Sequence, residues 1–274
     1  MMVTPSLPRR LRFPLSLWSS VLVGFLVIKA VLSLGLGLGE KLALYGSGAY
    51  FLLLLLATGI AILNAVEKTL GRRPFWVFIS IGYGLWSLDQ WLYIYYGAIR
   101  HIDVPDNSIA DPALFLHLVP LMAAIAMLPH LKQPDRKSYR ATLNFLFLLV
   151  FWVFFYAYFL FPYQYLFPNS TIYNPRFTTL YAVENAVLVL ILCMVIHRAQ
   201  APWRSIYYHL LGASALYALS STLANLAIDA GRPYNGSLYS LAQNAAVCWF
   251  LWVPLYARQP AHTRIGMEEL DARR

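Results

Sequence analysis

The sequence predicts an all-α protein, a polytopic transmembrane helical bundle with eight spans and both termini in the cytoplasm. Of its 274 residues, 59% are apolar and only 12% are charged, whereas a soluble domain carries about 25% charged residues. The apolar residues fall in runs of roughly 20, the length that crosses a bilayer core. Lysine and arginine are distributed unequally between alternate loops. This composition excludes a soluble enzyme, a disordered chain and a disulfide-rich scaffold.

Eight apolar runs define the predicted spans. The first run follows three arginines, but it is too long for the apolar part of a signal peptide and ends in a glycine-rich stretch without an Ala-x-Ala site, so we expect a retained helix. The predicted spans lie near residues 15–37, 44–66, 74–98, 109–130, 141–162, 177–197, 206–229 and 236–257.

The distribution of basic residues predicts the orientation. Sixteen of the 21 lysines and arginines fall in the loops and termini on one side. The other side has four, Lys41, Arg100, Arg176 and Arg232, and Lys29 lies inside the first span. Because cytoplasmic loops are enriched in Lys and Arg, both termini are predicted to be cytoplasmic in a multi-pass membrane protein. The net charge of +9 is thereby explained by topology, and we expect no nucleic-acid partner.

Ionisable residues within the spans are the candidate functional groups, because such residues are costly in a membrane. Lys29, Asp89, His117 and Glu184 each lie 7 to 9 residues from the predicted outer end of a span, or roughly 11 to 14 Å deep. Further polar residues on the last two spans reach the same level, and a tryptophan shares the face of Asp89. The predicted ligand-binding residues are Lys29, Trp86, Asp89, His117, Glu184, Ser221, Gln243 and Asn244.

Two interpretations of this polar layer remain open. In the first, the groups satisfy one another, with Lys29 paired to Asp89 or Glu184 and the amides bridging helices. In the second, they line an outward-facing pocket for a small ligand, a lipid or a proton. In support of the second interpretation, two carboxylates, one lysine and one histidine exceed what helix packing requires.

The sequence shows no catalytic or metal-binding constellation. His117 and His209 could be a haem pair, but their predicted depths differ by roughly 10 Å. His101 and Asp106 have an HxxxxD spacing used by acyltransferases, which arises easily by chance. The two cysteines lack a CxxC spacing. We therefore expect no enzymatic activity, no metal and no cofactor in this region.

The fourth span has a defined start and a predicted break. Either Ser108 caps the helix with Asp111 in its first turn, or Asp111 caps it with Pro112 in the first helical position. Pro120 should then kink the helix midway, because proline lacks the N–H that the helix requires.

This part of the chain resembles a known family. The segment VPDNSIADPALFLHLVPL, residues 104–121, is similar to the pattern of integral-membrane multi-helix sensory regions in bacterial signalling proteins, as is Trp86 with Gly82 and Gly84. Asn107 and Val119 depart from that pattern. Such regions precede GGDEF diguanylate cyclase, EAL or histidine kinase modules. The resemblance therefore implies a sensory role without specifying a ligand.

The resemblance and the charge pattern together predict two parts. Residues 1–257 are expected to form an eight-helix transmembrane sensory domain, and residues 258–274 the start of a cytoplasmic linker or signalling helix that leads to an output module. We expect the sensor to act as a homodimer within the lipid bilayer and to recognise a small ligand. The alternative is a small-molecule transporter or channel, which predicts a polar path that continues to the inner face.

Overall fold

The apolar runs form helices throughout the part of the chain that the structure describes. This computed structural model describes residues 14–35, 40–67, 73–102, 104–105, 108–127, 138–201, 203–229 and 238–259. Within them all regular structure is helical, which confirms the all-α class. Asp106 and nearly all of the predicted linker, from residue 260 onward, lie outside these residues.

Each of the eight predicted spans coincides with a helical segment. The fourth is divided in two at His117, three residues before Pro120, so the predicted break is confirmed. The α-helices are α1 (Leu15–Gly35), α2 (Glu40–Val66), α3 (Arg73–Ile94), α4 (Ala110–Leu116), α5 (Leu118–Ala126), α6 (Ser138–Phe155), α7 (Ser170–Arg198), α8 (Trp203–Asp229) and α9 (Leu238–Ala257).

Three of these helices contain segments long and apolar enough to cross a membrane: Leu15–Ser33, Tyr45–Val66 and Ser170–Arg198. The stretches Ala110–Ala126 and Phe145–Leu160 are apolar but shorter. Long apolar helices of this kind are typical of membrane proteins.

Helix α3 lies at the centre of the bundle. It packs against α2, α4 and α5, while α9 packs against α1, α2 and α8. Contacts between helix termini define the two ends of the bundle. Glu67 after α2 pairs with Arg258 after α9, and we call this the Arg258 end. Asp111 in α4 and Tyr173 in α7 meet at the opposite end, the Asp111 end.

Two helices finish in wide π-helical turns near the Asp111 end. Residues Tyr95–Ile99 follow α3, and Tyr156–Leu160 and Pro162–Leu166 follow α6. In these turns the backbone N–H groups bond five residues back, as from Phe167 to the carbonyl of Pro162 at 2.7 Å. Such turns change the rotational phase of the residues that follow them, and they are common at functional sites.

The exterior of the bundle is apolar, unlike that of a soluble protein. Large apolar side chains cover the outside, among them Phe147 (71% exposed) and Leu190 (61%). Charged side chains are enclosed instead, and Lys29, Asp89 and Glu184 are each at most 1% exposed. An apolar exterior, with a few charged groups enclosed in a mostly apolar and aromatic core, suits a lipid environment, where exposed apolar surface carries no hydrophobic cost.

Candidate functional site

Trp86 on α3 is the centre of a buried aromatic cluster. Its ring stacks on His117, with centroids 4.7 Å apart and an interplanar angle of 27°. Tyr217 on α8 contacts it edge-on at 4.6 Å, Phe250 on α9 at 5.4 Å and Tyr50 on α2 at 5.8 Å. One side chain therefore joins α2, α3, α8, α9 and the break between α4 and α5.

Tyr181 adds α7 to this cluster. Its hydroxyl lies 2.6 Å from the hydroxyl of Tyr217, and its ring centroid lies 6.1 Å from that of His117. The six residues Tyr50, Trp86, His117, Tyr181, Tyr217 and Phe250 are hereafter the Trp86 cluster. Aromatic pairs of this geometry contribute about 0.5 to 1.5 kcal/mol each beyond their burial.

Gly82 and Pro120 explain why His117 reaches Trp86. A Cβ at Gly82 would lie 2.0 Å from Leu121 Cδ1 and 2.8 Å from the carbonyl oxygen of His117, so only glycine permits this approach of α3 to α5. Pro120 has no N–H to bond the carbonyl of Leu116, and the helix breaks at His117. Two backbone features of the sequence thus bring the histidine ring over the tryptophan.

The hydrogen bonds of His117 and Asp89 leave atoms without partners. His117 Nδ1 donates to the carbonyl of Leu114, so in a neutral ring Nε2 is an acceptor. Asp89 Oδ2 accepts a hydrogen bond of 2.9 Å from Gln90 Nε2. Among the residues that the structure describes, His117 Nε2 and Asp89 Oδ1 have no hydrogen-bond partner although both are buried.

Glu184 on α7 is an isolated polar group. Its side chain is 0% exposed, and neither carboxyl oxygen has a partner in the described part of the chain. The adjacent Asn185 donates to the carbonyl of Tyr181 at 2.9 Å, which leaves its Oδ1 unpaired. Leaving a buried polar group unpaired costs about 1 to 3 kcal/mol, and more when the group is charged.

Helix register places a further unpaired group opposite Glu184. Helices α7 and α8 are consecutive and antiparallel, and they meet at the Tyr181–Tyr217 contact. Glu184 follows Tyr181 by three residues and Ser214 precedes Tyr217 by three, so both lie one turn from that contact toward the Arg258 end. Ser214 Oγ is buried and also lacks a partner among the described residues.

Lys29 does not pair with either carboxylate. It is 1% exposed and its Nζ has no hydrogen-bond partner within the described chain. The side chain lies beside α2, where a Cβ at Gly46 would be 3.3 Å from Nζ. The predicted pairing with Asp89 or Glu184 is therefore wrong, because α1 lies against α2 and α9 rather than against α7.

The remaining predicted residues lie on α8 and α9. Asn244 is buried, its Nδ2 donates to the carbonyl of Ser240 at 2.6 Å, and its Oδ1 has no partner among the described residues. Ser221 and Gln243 are half-buried, and no hydrogen bond or ring contact within the described ranges joins them to the Trp86 cluster. Trp86 and His117 are thus in direct contact, and Asp89 and Glu184 lie one helical turn from members of the cluster.

A second polar group, unforeseen from the sequence, lies at the Asp111 end. Asp111 Oδ2 accepts hydrogen bonds from the Tyr173 hydroxyl at 2.7 Å and from Gln164 Nε2 at 3.5 Å. The Tyr156 hydroxyl donates to Gln164 Oε1, and that of Tyr165 to the carbonyl of Ser108 at 3.1 Å. These six residues are hereafter the Asp111 network.

The local structure at Asp111 agrees only in part with the predicted helix cap, because Asp111 lies in the first turn of α4 as expected but the cap position differs. Helix α4 begins at Ala110, and the N-cap position is Ile109, whose side chain makes no capping bond. Ser108 Oγ accepts only a bond of 3.3 Å from the N–H of Ala110. Burial and the negative charge of Asp111 raise the pKa of the Tyr165 hydroxyl above its usual value, so this group remains a hydrogen-bond donor at physiological pH.

The described residues contain no group of three His, Cys, Asp or Glu side chains that could hold a metal ion. His209 accepts a hydrogen bond from Trp249 Nε1 at 3.3 Å and packs on Tyr256 near the Arg258 end, far along the bundle from His117. Among the described residues, the Trp86 cluster contains an unpaired acceptor, His117 Nε2, and an unpaired donor, Trp86 Nε1, and unpaired carboxyl oxygens lie one turn away on Asp89 and Glu184. No family model, curated protein or solved structure matches this chain.

Proposed function

We propose that this chain is the membrane-embedded input region of a bacterial signal-transduction protein. The Trp86 cluster, with Asp89 and Glu184, senses a small ligand, a lipid or the state of the membrane in the outer half of the bilayer. The signal passes through α9 to a C-terminal cytoplasmic output module, within a homodimer. The observation that carries this proposal is the set of buried, unpaired polar atoms beside the cluster.

The topology assigned to this region is eight spans in the bacterial inner membrane. Helices α4 and α5 together form one span, and each of the other helices forms one. Arg73, Arg198, Arg204 and Arg258 flank the helix termini at the Arg258 end, which supports a cytoplasmic location for that end.

The cost of the unpaired groups supports a sensory rather than a structural role. Buried polar groups that serve stability are normally hydrogen-bonded. Ionisable groups within membranes are retained chiefly where they serve a ligand, an ion or a proton. Glu184, with two unpaired oxygens, fits the second class.

Contacts along α9 provide a path from the cluster to the Arg258 end. Pro254 has no N–H for the carbonyl of Phe250, and the Tyr83 hydroxyl donates to that carbonyl instead, at 3.2 Å. The Pro254 carbonyl accepts from Asn64 Nδ2 at 2.9 Å. Arg258 then bonds Glu67 and Asn64 on α2. A shift of Phe250 within the cluster would therefore reach the last turn of α9.

The proposal is tested by joining residue 274 to a diguanylate cyclase module and measuring cyclic-di-GMP in cells. We expect Glu184→Gln and Asp89→Asn to change basal or stimulated output severalfold, because both alter the unpaired groups. Asp111→Asn, the same chemical change outside the cluster, should leave output within twofold. Unchanged output in both cluster variants contradicts the sensory proposal, and specific solute uptake into liposomes would indicate a transporter instead.

A further inference from the structure

We propose that the site between α7 and α8 binds a primary ammonium ion, with Glu184 as the counter-ion and the organic part of the ligand directed toward the Trp86 cluster. This inference rests on the proposed function and names the class of ligand. It concerns the atoms of Glu184, Asn185 and Ser214 that have no partner in the described chain.

The chemistry of these unpaired atoms requires a donor. Glu184 has two carboxyl oxygens and Asn185 one amide oxygen, and none of the three can donate when the carboxylate is ionised. Ser214 Oγ can also accept. A primary ammonium group carries three N–H donors, so it can bond one Glu184 oxygen, the Asn185 oxygen and the Ser214 hydroxyl together.

The arrangement of the helices places these acceptors on facing sides of α7 and α8. Glu184 and Asn185 follow Tyr181 by three and four residues, so they share its face of α7. Ser214 precedes Tyr217 by three residues and shares its face of α8, and the 2.6 Å contact between the hydroxyls of Tyr181 and Tyr217 brings the two faces together. All three side chains are at most 3% exposed, so they face the interior of the bundle rather than lipid.

The charge of the surroundings favours a cation over a neutral donor or an anion. Glu184 and Asp89 are both 0% exposed, and the described residues provide neither with a cationic partner. The neighbouring rings of Tyr181, Tyr217 and Trp86 present π-electrons, which attract cations. An ammonium ion would thus offset a buried carboxylate that otherwise lacks any compensating group.

The test measures the thermal unfolding midpoint of the full chain in lipid nanodiscs with four matched probes. Benzylammonium should raise the midpoint in a saturable manner. Benzyl alcohol lacks the charge, benzoate has the opposite charge, and benzyltrimethylammonium keeps the charge but has no N–H. We expect none of these three to match benzylammonium.

Three variants test whether the shift produced by benzylammonium arises at the site between α7 and α8. Glu184→Gln should weaken benzylammonium binding about 10- to 100-fold, and Ser214→Ala severalfold. Asp111→Asn makes the same carboxyl-to-amide change outside the site and should retain wild-type affinity. If Glu184→Gln does not fold, Ser214→Ala still tests the site.

The proposal fails if benzylammonium produces no shift, if benzyl alcohol or benzyltrimethylammonium produces an equal one, or if both site variants retain wild-type affinity. Failure of the ligand class is distinguishable from failure of the sensory role. If output depends on Glu184 but no ammonium ion binds, only the proposed ligand class is wrong. If benzylammonium binds in a manner that depends on Glu184 but the output of the fusion never changes, only the proposed sensory role is wrong.

Discussion

The Asp111 network and the Glu184 region are both centred on a carboxylate, but they differ in burial and in hydrogen bonding, because Asp111 is half-buried whereas Glu184 is 0% exposed. Asp111 accepts bonds from Tyr173 and Gln164, and the surrounding hydroxyls find acceptors in turn. Glu184, Asn185 and Ser214 retain unpaired atoms in the described structure. The first arrangement links α4, α7 and the π-helical turns after α6, whereas the second costs stability. We propose that the hydrogen bonding and the burial of a polar group, rather than its charge, separate a structural role from a binding role.

The largest expected effect tests the structural side of this comparison. Asp111→Ala leaves Tyr173 and Gln164 without their shared acceptor, so we expect the free energy of unfolding to fall by about 2 kcal/mol. Asp111→Asn keeps one acceptor oxygen and should cost roughly half as much. The unfolding midpoint in detergent micelles measures both. Equal stability of wild type and Asp111→Ala would contradict the structural role.

A change of opposite sign is expected at Glu184. Glu184→Met replaces an unpaired polar group by an apolar one of similar length, so we expect a gain of about 1 kcal/mol. Val183→Met, at the neighbouring position that is 48% exposed, should leave stability unchanged. The unfolding midpoint in detergent micelles measures both variants. A loss of stability in Glu184→Met would show that the carboxyl group has a structural partner.

The smallest effect concerns the link between the cluster and α9. Tyr83→Phe removes the hydroxyl that bonds the Phe250 carbonyl, at a cost of about 0.6 kcal/mol in a membrane environment. Tyr158→Phe, at a position that is 66% exposed, is the control and should have no effect. In the cyclase fusion, Tyr83→Phe should reduce the response to a stimulus more than it reduces stability. A response identical to wild type would argue against the path through α9.

The sequence predicted the helices well but the polar partners poorly. Span positions follow from local apolar runs, and the break at His117 follows from Pro120. Burial of Lys29, Asp89, His117 and Glu184 was also predictable, because charges avoid lipid. Depth along a helix, however, does not determine which neighbour a residue faces.

Which side chains become hydrogen-bond partners depends on which helices pack against one another, and the sequence does not determine that arrangement. Lys29 reaches the level of the carboxylates but lies on α1, which packs against α2 and α9. Asp111 was explained as a helix cap because its local sequence suffices for that role. Its partners Gln164 and Tyr173 are more than 50 residues away, and the only available signal was the abundance of tyrosine in the predicted outer halves of the spans.

The wide turn Tyr156–Leu160 controls whether Gln164 and Tyr165 can reach the Asp111 network at all. Each residue advances an α-helix by about 100°, whereas this turn bonds five residues back and so delays that rotation. Straightening the five-residue turn into regular α-helix without removing a residue would add roughly 20° of rotation per residue and turn the following side chains by roughly 100° away from Asp111 and Ser108. The network therefore depends on the backbone of this turn as much as on the side chains that follow it, and a change that restores the regular helix would break it while keeping every hydrogen-bonding side chain.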